Sequence, residues 1–177
     1  MEIKASCKFN LESMKAFTHL LLFKKANPKK RMIFWLIAYL FFSAVIIAEI
    51  ILLDADTVLF VLLAFIFLWF LLGCYFYFLL PKKQYKALGK MKEIVNEYVF
   101  GDEVIGLNSI GDGYNGDGEI EYDLIYKVME TSKYIFIFLN KTQTYIVNKS
   151  TITGGTVEEL KNKLSSYVGD NYITCKY

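Results

Sequence analysis

Two long apolar stretches separated by only three residues constrain this chain more than any other feature. Met32 to Leu53 and Thr57 to Leu80 are runs of 22 and 24 residues, and Glu49 is the only charged residue in either. A helix rises about 1.5 Å per residue, so about 20 residues cross the roughly 30 Å hydrocarbon layer of a bilayer. Each run is long enough to do so. The connection, Asp54, Ala55 and Asp56, leaves room only for an immediate reversal, which predicts two antiparallel membrane-spanning helices over 32–53 and 57–80. The chain is 55% hydrophobic with mean hydropathy +0.34, above the roughly 45–50% apolar content of soluble domains. The excess sits in these two runs.

The flanks predict the orientation. Lys24, Lys25, Lys29, Lys30 and Arg31 precede the first run, Lys82, Lys83, Lys86, Lys90 and Lys92 follow the second, and the connection carries only acids. Positive charge stays on the cytoplasmic side during insertion, so a multi-pass membrane protein with both termini in the cytoplasm is expected. Trp35, Tyr39, Tyr75 and Tyr77 stand where an aromatic belt would lie at that inner interface. A secretory leader does not fit, because the first run is longer than 7–15 residues and ends in acids without a small-residue cleavage site. Lys24, Lys25, Lys29, Lys30, Arg31, Lys82, Lys83 and Lys86 are the candidate contacts to anionic inner-leaflet lipid, at about 1 kcal/mol per charge.

Outside the spans the pattern is that of a small soluble domain. Residues 1–9 alternate, with Ile3, Ala5, Cys7 and Phe9 on one face, which predicts a half-buried strand. Asn10 can cap a helix in which Leu11, Met14, Phe17 and Leu21 recur at helical spacing, completing an N-terminal segment over 1–31. Pro81 ends or kinks the second span, and Tyr85, Leu88, Met91, Ile94, Val95 and Tyr98 predict a juxtamembrane amphipathic helix within 81–98. Residues 99–177 turn strand-like. Apolar runs at Val104 to Leu107, Ile120 to Tyr126, Tyr134 to Leu139 and Thr144 to Val147 are followed by a helix whose Thr156 and Glu159 make a capping box and which Gly169 can end. A last strand is expected over Tyr172 to Lys176. An isolated strand at 1–9 cannot bury its apolar face alone, so it is expected to join the later sheet, leaving the membrane hairpin inserted within one α+β domain.

The stretch from Glu121 to Thr131, the run Tyr134-Ile135-Phe136-Ile137-Phe138, the segment Tyr145 to Lys149 and the helix around Glu158-Glu159-Leu160 resemble the YcxB-like family of small bacterial membrane proteins. The family often has tryptophan at the position of Tyr122 and proline at that of Asn148. The resemblance implies a bacterial cell-membrane protein whose cytoplasmic part is a pleckstrin-homology-like β domain closed by a C-terminal helix.

Chemistry-bearing residues are few. Glu49 is an intramembrane ionisable group, a functional candidate by default, but it lies near the outer end of its run, where its carboxylate can reach the headgroups. The segment from Gly111 to Glu119 offers oxygens to a hard cation, yet Tyr114 and Gly116 fall where an EF-hand would place acids, so a mobile hairpin loop is expected and no metal site is assigned. The sole histidine, His19, has no nucleophile at a recognisable spacing and is expected to be packed. Cys7, Cys74 and Cys175 lack metal-ligand spacing and are expected to be reduced packing residues. After residue 98 the chain carries seven lysines and eleven acids, a net charge of minus four, which disfavours nucleic acid. Ala44 and Ala48 would let a second copy pack closely as a homodimer. These features predict a non-enzymatic membrane-anchored interaction or regulatory module that needs no cofactor and binds a protein partner. The alternative is an oligomeric transport or channel component using Glu49.

Overall fold

The computed structural model describes residues 2–23, 26–52 and 57–175. The expected connection Asp54 to Asp56, the end of the first run at Leu53, the candidate lipid contacts Lys24 and Lys25 and the end of the last expected strand at Lys176 lie outside the described residues. The protein is of mixed helix and sheet. Strand β1 (Ile3–Lys8) is followed by helices α1 (Leu11–Phe23), α2 (Pro28–Leu52), α3 (Thr57–Cys74) and α4 (Leu80–Ala87). Then come β2 (Val95–Phe100), β3 (Val104–Gly111), β4 (Tyr114–Glu121), β5 (Lys127–Glu130), β6 (Tyr134–Phe138) and β7 (Thr144–Asn148). Helix α5 (Val157–Val168) and β8 (Tyr172–Thr174) close the chain.

The two long helices run antiparallel, since residues early in α2 meet residues late in α3. Trp35 lies edge-on to Trp69 with ring centres 5.3 Å apart, and Tyr39 stacks on Phe70 at 4.4 Å. Gly73 permits this closeness, because a Cβ there would sit 3.1 Å from the Trp35 ring. The helices bury little else: Phe41 is 63% exposed and Phe65 65%. A soluble core helix would hide such side chains. With 25 residues in α2 and 31 in the continuous helix Thr57–Ala87, both are long and apolar enough to cross a membrane.

Helix α2 begins at Pro28, four residues before the apolar run, because Asn27 caps it: its Oδ1 accepts the Lys29 N–H at 3.0 Å and the Lys30 N–H at 3.3 Å. Pro28 needs no amide partner in the first turn. The second helix does not end at Pro81. A π turn spans Tyr75–Leu79, where the Leu80 N–H reaches back to the Tyr75 carbonyl, and α4 continues beyond it.

The amphipathic helix expected over 82–98 is corrected by the structure. α4 stops at Ala87, Gly89 takes φ +55, a 3-10 turn covers Gly89–Glu93, and Val95–Phe100 is strand β2. Asn96, Tyr98 and Phe100 alternate inward, so the period there is two and not 3.6.

One sheet has the order β1-β2-β3-β4, entirely antiparallel; the other is β7-β6-β5-β8, with β5 and β8 parallel. β1 pairs with β2 in the register Ile3↔Phe100, Ala5↔Tyr98 and Cys7↔Asn96. The N-terminal strand therefore joins a strand formed after all four helices. Its free edge also meets the segment that follows β7: Lys4 and Thr153 exchange backbone hydrogen bonds of 2.8 Å each, and Thr151 Oγ1 accepts the Ser6 N–H at 2.9 Å.

Gly154 makes that closure possible. It has φ +72, and a Cβ there would lie 2.4 Å from the Glu2 carbonyl oxygen. Gly154→Ala is expected to cost about 1–3 kcal/mol, read as a lower unfolding midpoint together with faster hydrogen exchange at the Lys4 and Ser6 amides.

The hairpin loop expected over 111–119 is mostly strand. β3 and β4 pair from Val104↔Glu121 to Gly111↔Tyr114, and only Asp112 and Gly113 turn the chain, with Gly113 at φ +70. The run expected as one strand from Ile120 to Tyr126 is instead broken by a 3-10 turn at Tyr122–Leu124. Tyr122 swings inward there: its hydroxyl donates to the Gly101 carbonyl at 2.9 Å and its ring stacks on Tyr167 at 4.3 Å.

The core lies between the sheets and under α5. Phe100, Ile105, Val128, Ile135, Phe136, Val147, Leu160 and Leu164 are fully enclosed. α5 is set by the expected capping box, in which Thr156 Oγ1 accepts the Glu159 N–H at 3.1 Å and Glu159 Oε2 accepts the Thr156 N–H at 2.6 Å. That second bond holds the Glu159 carboxyl below its ordinary range. Cys7 is a packing residue of this core, and burial pushes its thiol up to about 11.

Candidate functional site at the helix–sheet junction

Helix α1 joins the β domain to the long helices. Asn10 caps it, its Oδ1 accepting the Ser13 N–H at 2.8 Å while Ser13 Oγ accepts the Asn10 N–H at 3.0 Å. The expected stripe through Leu11, Met14, Phe17 and Leu21 is corrected: Leu21 is 50% exposed and Leu11 39%, whereas Ser13, Met14, Thr18, His19 and Leu20 are buried. The reason is that α1 is covered on two sides. Phe17 stacks on Phe136 at 5.9 Å and Leu20 enters the domain core, while Thr18 and His19 face the second long helix.

The contact to that helix follows from Pro81. A proline has no N–H to offer the carbonyl four residues earlier, which is that of Tyr77. His19 Nε2 lies 3.1 Å from the Tyr77 oxygen, and its ring stacks on Tyr77 at 4.5 Å. A carbonyl only accepts, so the proton is on Nε2. Burial pulls the His19 pKa below its usual value, the Tyr77 hydrogen bond opposes this, and nearby Lys15 pulls it lower still. Thr18 Oγ1 adds a bond of 2.5 Å to Gln84 Oε1. His19 is thus packed, and its ring supports the helix where proline weakens it.

Beside this contact a cavity of about 290 Å³ opens between α1, the start of α2 and the turn Thr131 to Tyr134. Lys15, Lys29 and Lys133 line it with Glu12. Lys133 pairs with Glu12, and the Lys15 ammonium lies 5.5 Å from the centre of the Tyr77 ring.

The other sequence-derived candidates are dispersed. Lys29, Lys30 and Arg31 occupy the first turn of α2, where the Arg31 guanidinium covers the Phe23 ring at 5.9 Å. Lys82, Lys83 and Lys86 are exposed along α4. Glu49 is exposed on α2, off the face where Trp35, Tyr39, Ser43 and Ile46 meet or approach α3. Ala44 and Ala48 are exposed as well. Among the described residues no group of three or more His, Cys, Asp or Glu side chains converges as a metal site. Asp117 and Glu119 are strung along β4 instead.

Two features were not located from the residues, although a sheet edge was expected to bind a partner. The first is the open edge of β4: it is the last strand of its sheet, and no backbone hydrogen bond joins its outer side to any described residue. Asp117, Glu119 and Glu121 project from one exposed face of it without an ion-pair partner among the described residues. The second is a buried ion pair between Glu130 and Lys149, whose side chains are 8% and 15% exposed. Tyr172 donates to Glu130 Oε2 at 3.1 Å, and the Cys175 N–H donates to the Glu130 carbonyl at 2.7 Å, so the pair ties β5, the end of β7 and β8 together.

No curated protein and no solved structure matches this chain. Residues 108–164, from within β3 to within α5, match the family model of the YcxB-like protein, the family that the Glu121 to Thr131 and Tyr145 to Lys149 segments resemble.

Proposed function

We propose that this is a membrane-anchored, non-enzymatic interaction module. α2 and α3 span a bacterial cell membrane, both termini lie in the cytoplasm, and the β domain is held at the inner leaflet as a pleckstrin-homology-like unit. Seven strands followed by the capped helix α5 support that likeness. The observation that carries the reading is the connectivity: the two long apolar helices enter and leave the domain between neighbouring strands β1 and β2. Whatever the domain binds is then kept beside the bilayer.

The open edge of β4 suits a protein partner, because an added strand satisfies the unpaired backbone groups and alternate acidic side chains select a basic segment. A photo-reactive amino acid placed at Asn115 or Asp117 should crosslink a defined partner in cells, and Gly116→Pro should abolish the adduct. The same probe at exposed Asn162 on α5 is the control. Adducts no stronger at the edge than at Asn162, or recovery of the intact chain in the aqueous fraction, would overturn the reading. The transport alternative requires several copies, because two spans with one exposed carboxylate enclose no pathway within one chain. It predicts that Glu49→Gln abolishes a flux in liposomes.

A further inference from the structure

The cavity beside His19 has a neighbour. A second one of about 170 Å³ is lined by Leu22, Phe23, Met32, Trp35, Gly73 and Phe76 together with Arg31. Phe23 stands between the two, its ring 5.6 Å from His19 and 6.3 Å from Tyr77. One compartment is therefore basic and the adjoining one apolar apart from Arg31. The basic compartment lies where α2 starts and where the second long helix makes its π turn, at the height where both helices would leave an apolar layer.

Its charges are not used up internally. Lys15 and Lys29 have no carboxylate within ion-pair distance among the described residues, and Lys133 is offset by Glu12. With His19 neutral, three lysines against one glutamate leave a surplus of positive charge at a concave site. Lys29 also sits in the first turn of α2, where the helix dipole favours an anion although Asn27 already takes the Lys29 and Lys30 N–H groups.

We propose that this double cavity binds one anionic phospholipid, its phosphate held by Lys15, Lys29 and Lys133 and the start of an acyl chain laid along Phe23, Met32, Trp35 and Phe76. A soluble phosphate compound shares the first half of that chemistry but has no use for the apolar half. The inference rests on the membrane reading above. It assigns the headgroup to the junction and not to the exposed cluster Lys82, Lys83 and Lys86.

The test uses the full chain in nanodiscs of phosphatidylcholine, alone or with phosphatidylglycerol, with the retained lipid identified by native mass spectrometry. One phosphatidylglycerol per chain is expected to survive detergent exchange. Retention should fall at least tenfold in K15Q/K29Q and stay unchanged in K82Q/K83Q/K86Q. Because Lys15 and Lys29 hold no carboxylate, the double variant keeps the Lys133–Glu12 pair, and circular dichroism checks its fold; single variants K15Q and K29Q replace it if it unfolds. Equal retention of both lipids, undiminished retention in the variants, or saturable binding of glycerol 3-phosphate by lipid-free protein would each overturn the proposal. A chain that enters no nanodisc would overturn the membrane reading itself, whereas one that enters and holds phosphatidylcholine equally well sinks this inference alone.

Discussion

Glu130→Ala is expected to destabilise the β domain by about 3–5 kcal/mol, because it leaves the Lys149 ammonium without its carboxylate at a site where the side chain is only 15% exposed. Burial by itself would push the Glu130 carboxyl up, but the hydrogen bond and charge of Lys149, with the Tyr172 hydroxyl, outweigh it and the net shift is downward. The unfolded chain therefore binds this proton more readily than the folded one. Its contribution is fully present above the ordinary carboxylate range and is lost as pH falls through and below it. Thermal unfolding in detergent should show the deficit at neutral pH and a narrowing gap between wild type and variant in acid. The double variant Glu130→Met with Lys149→Met should recover most of the loss, since an apolar pair replaces the charges. A double variant as unstable as Glu130→Ala would show that β8, and not the charge, is what the site secures.

Phe136→Ala should cost a similar amount, about 3–5 kcal/mol, as expected for an emptied aromatic site in a closed core. The ring is fully buried at the centre of β6, packs near Tyr134 at 6.1 Å and receives Phe17 of α1 at 5.9 Å. Its loss acts on two layers at once, opening a cavity in the sheet and removing the platform on which α1 rests. Phe17→Ala removes only the second and should cost less. Proteolysis within α1 should accelerate in both, and the unfolding midpoint of the β domain should fall much further in Phe136→Ala.

Much of this architecture was legible in the residues. Strict alternation from Ile3 to Phe9 fixed a strand and, because one strand cannot bury its own face, required a partner far along the chain; the Ala5↔Tyr98 register supplies it. The capping box at Thr156 and Glu159 set α5 to the residue. Other signals were ambiguous for physical reasons. Val95 and Tyr98 are three apart and satisfy a helical stripe, yet the burial of Asn96, Tyr98 and Phe100 at every second position decides for a strand, and Gly89 was the overlooked stop. The glycines at 111, 113, 116 and 118 suggested a loop, but only Gly113 turns; Gly116 and Gly118 are paired strand residues. The junction was hidden by sequence distance. Proline's missing N–H leaves the Tyr77 carbonyl without its helical partner, but nothing in the order of residues says that a histidine 58 positions earlier lies against it.

The pairing of Lys8 with Val95 also sets the order in which the chain can fold. The first strand leaves the ribosome long before its neighbour exists, and four helices must be made before the ladder can close. Such a high sequence separation slows the search for the native contact, so the opening residues, apolar on one side, wait exposed until the rest arrives. Truncation anywhere before β2 would leave them without a sheet to join.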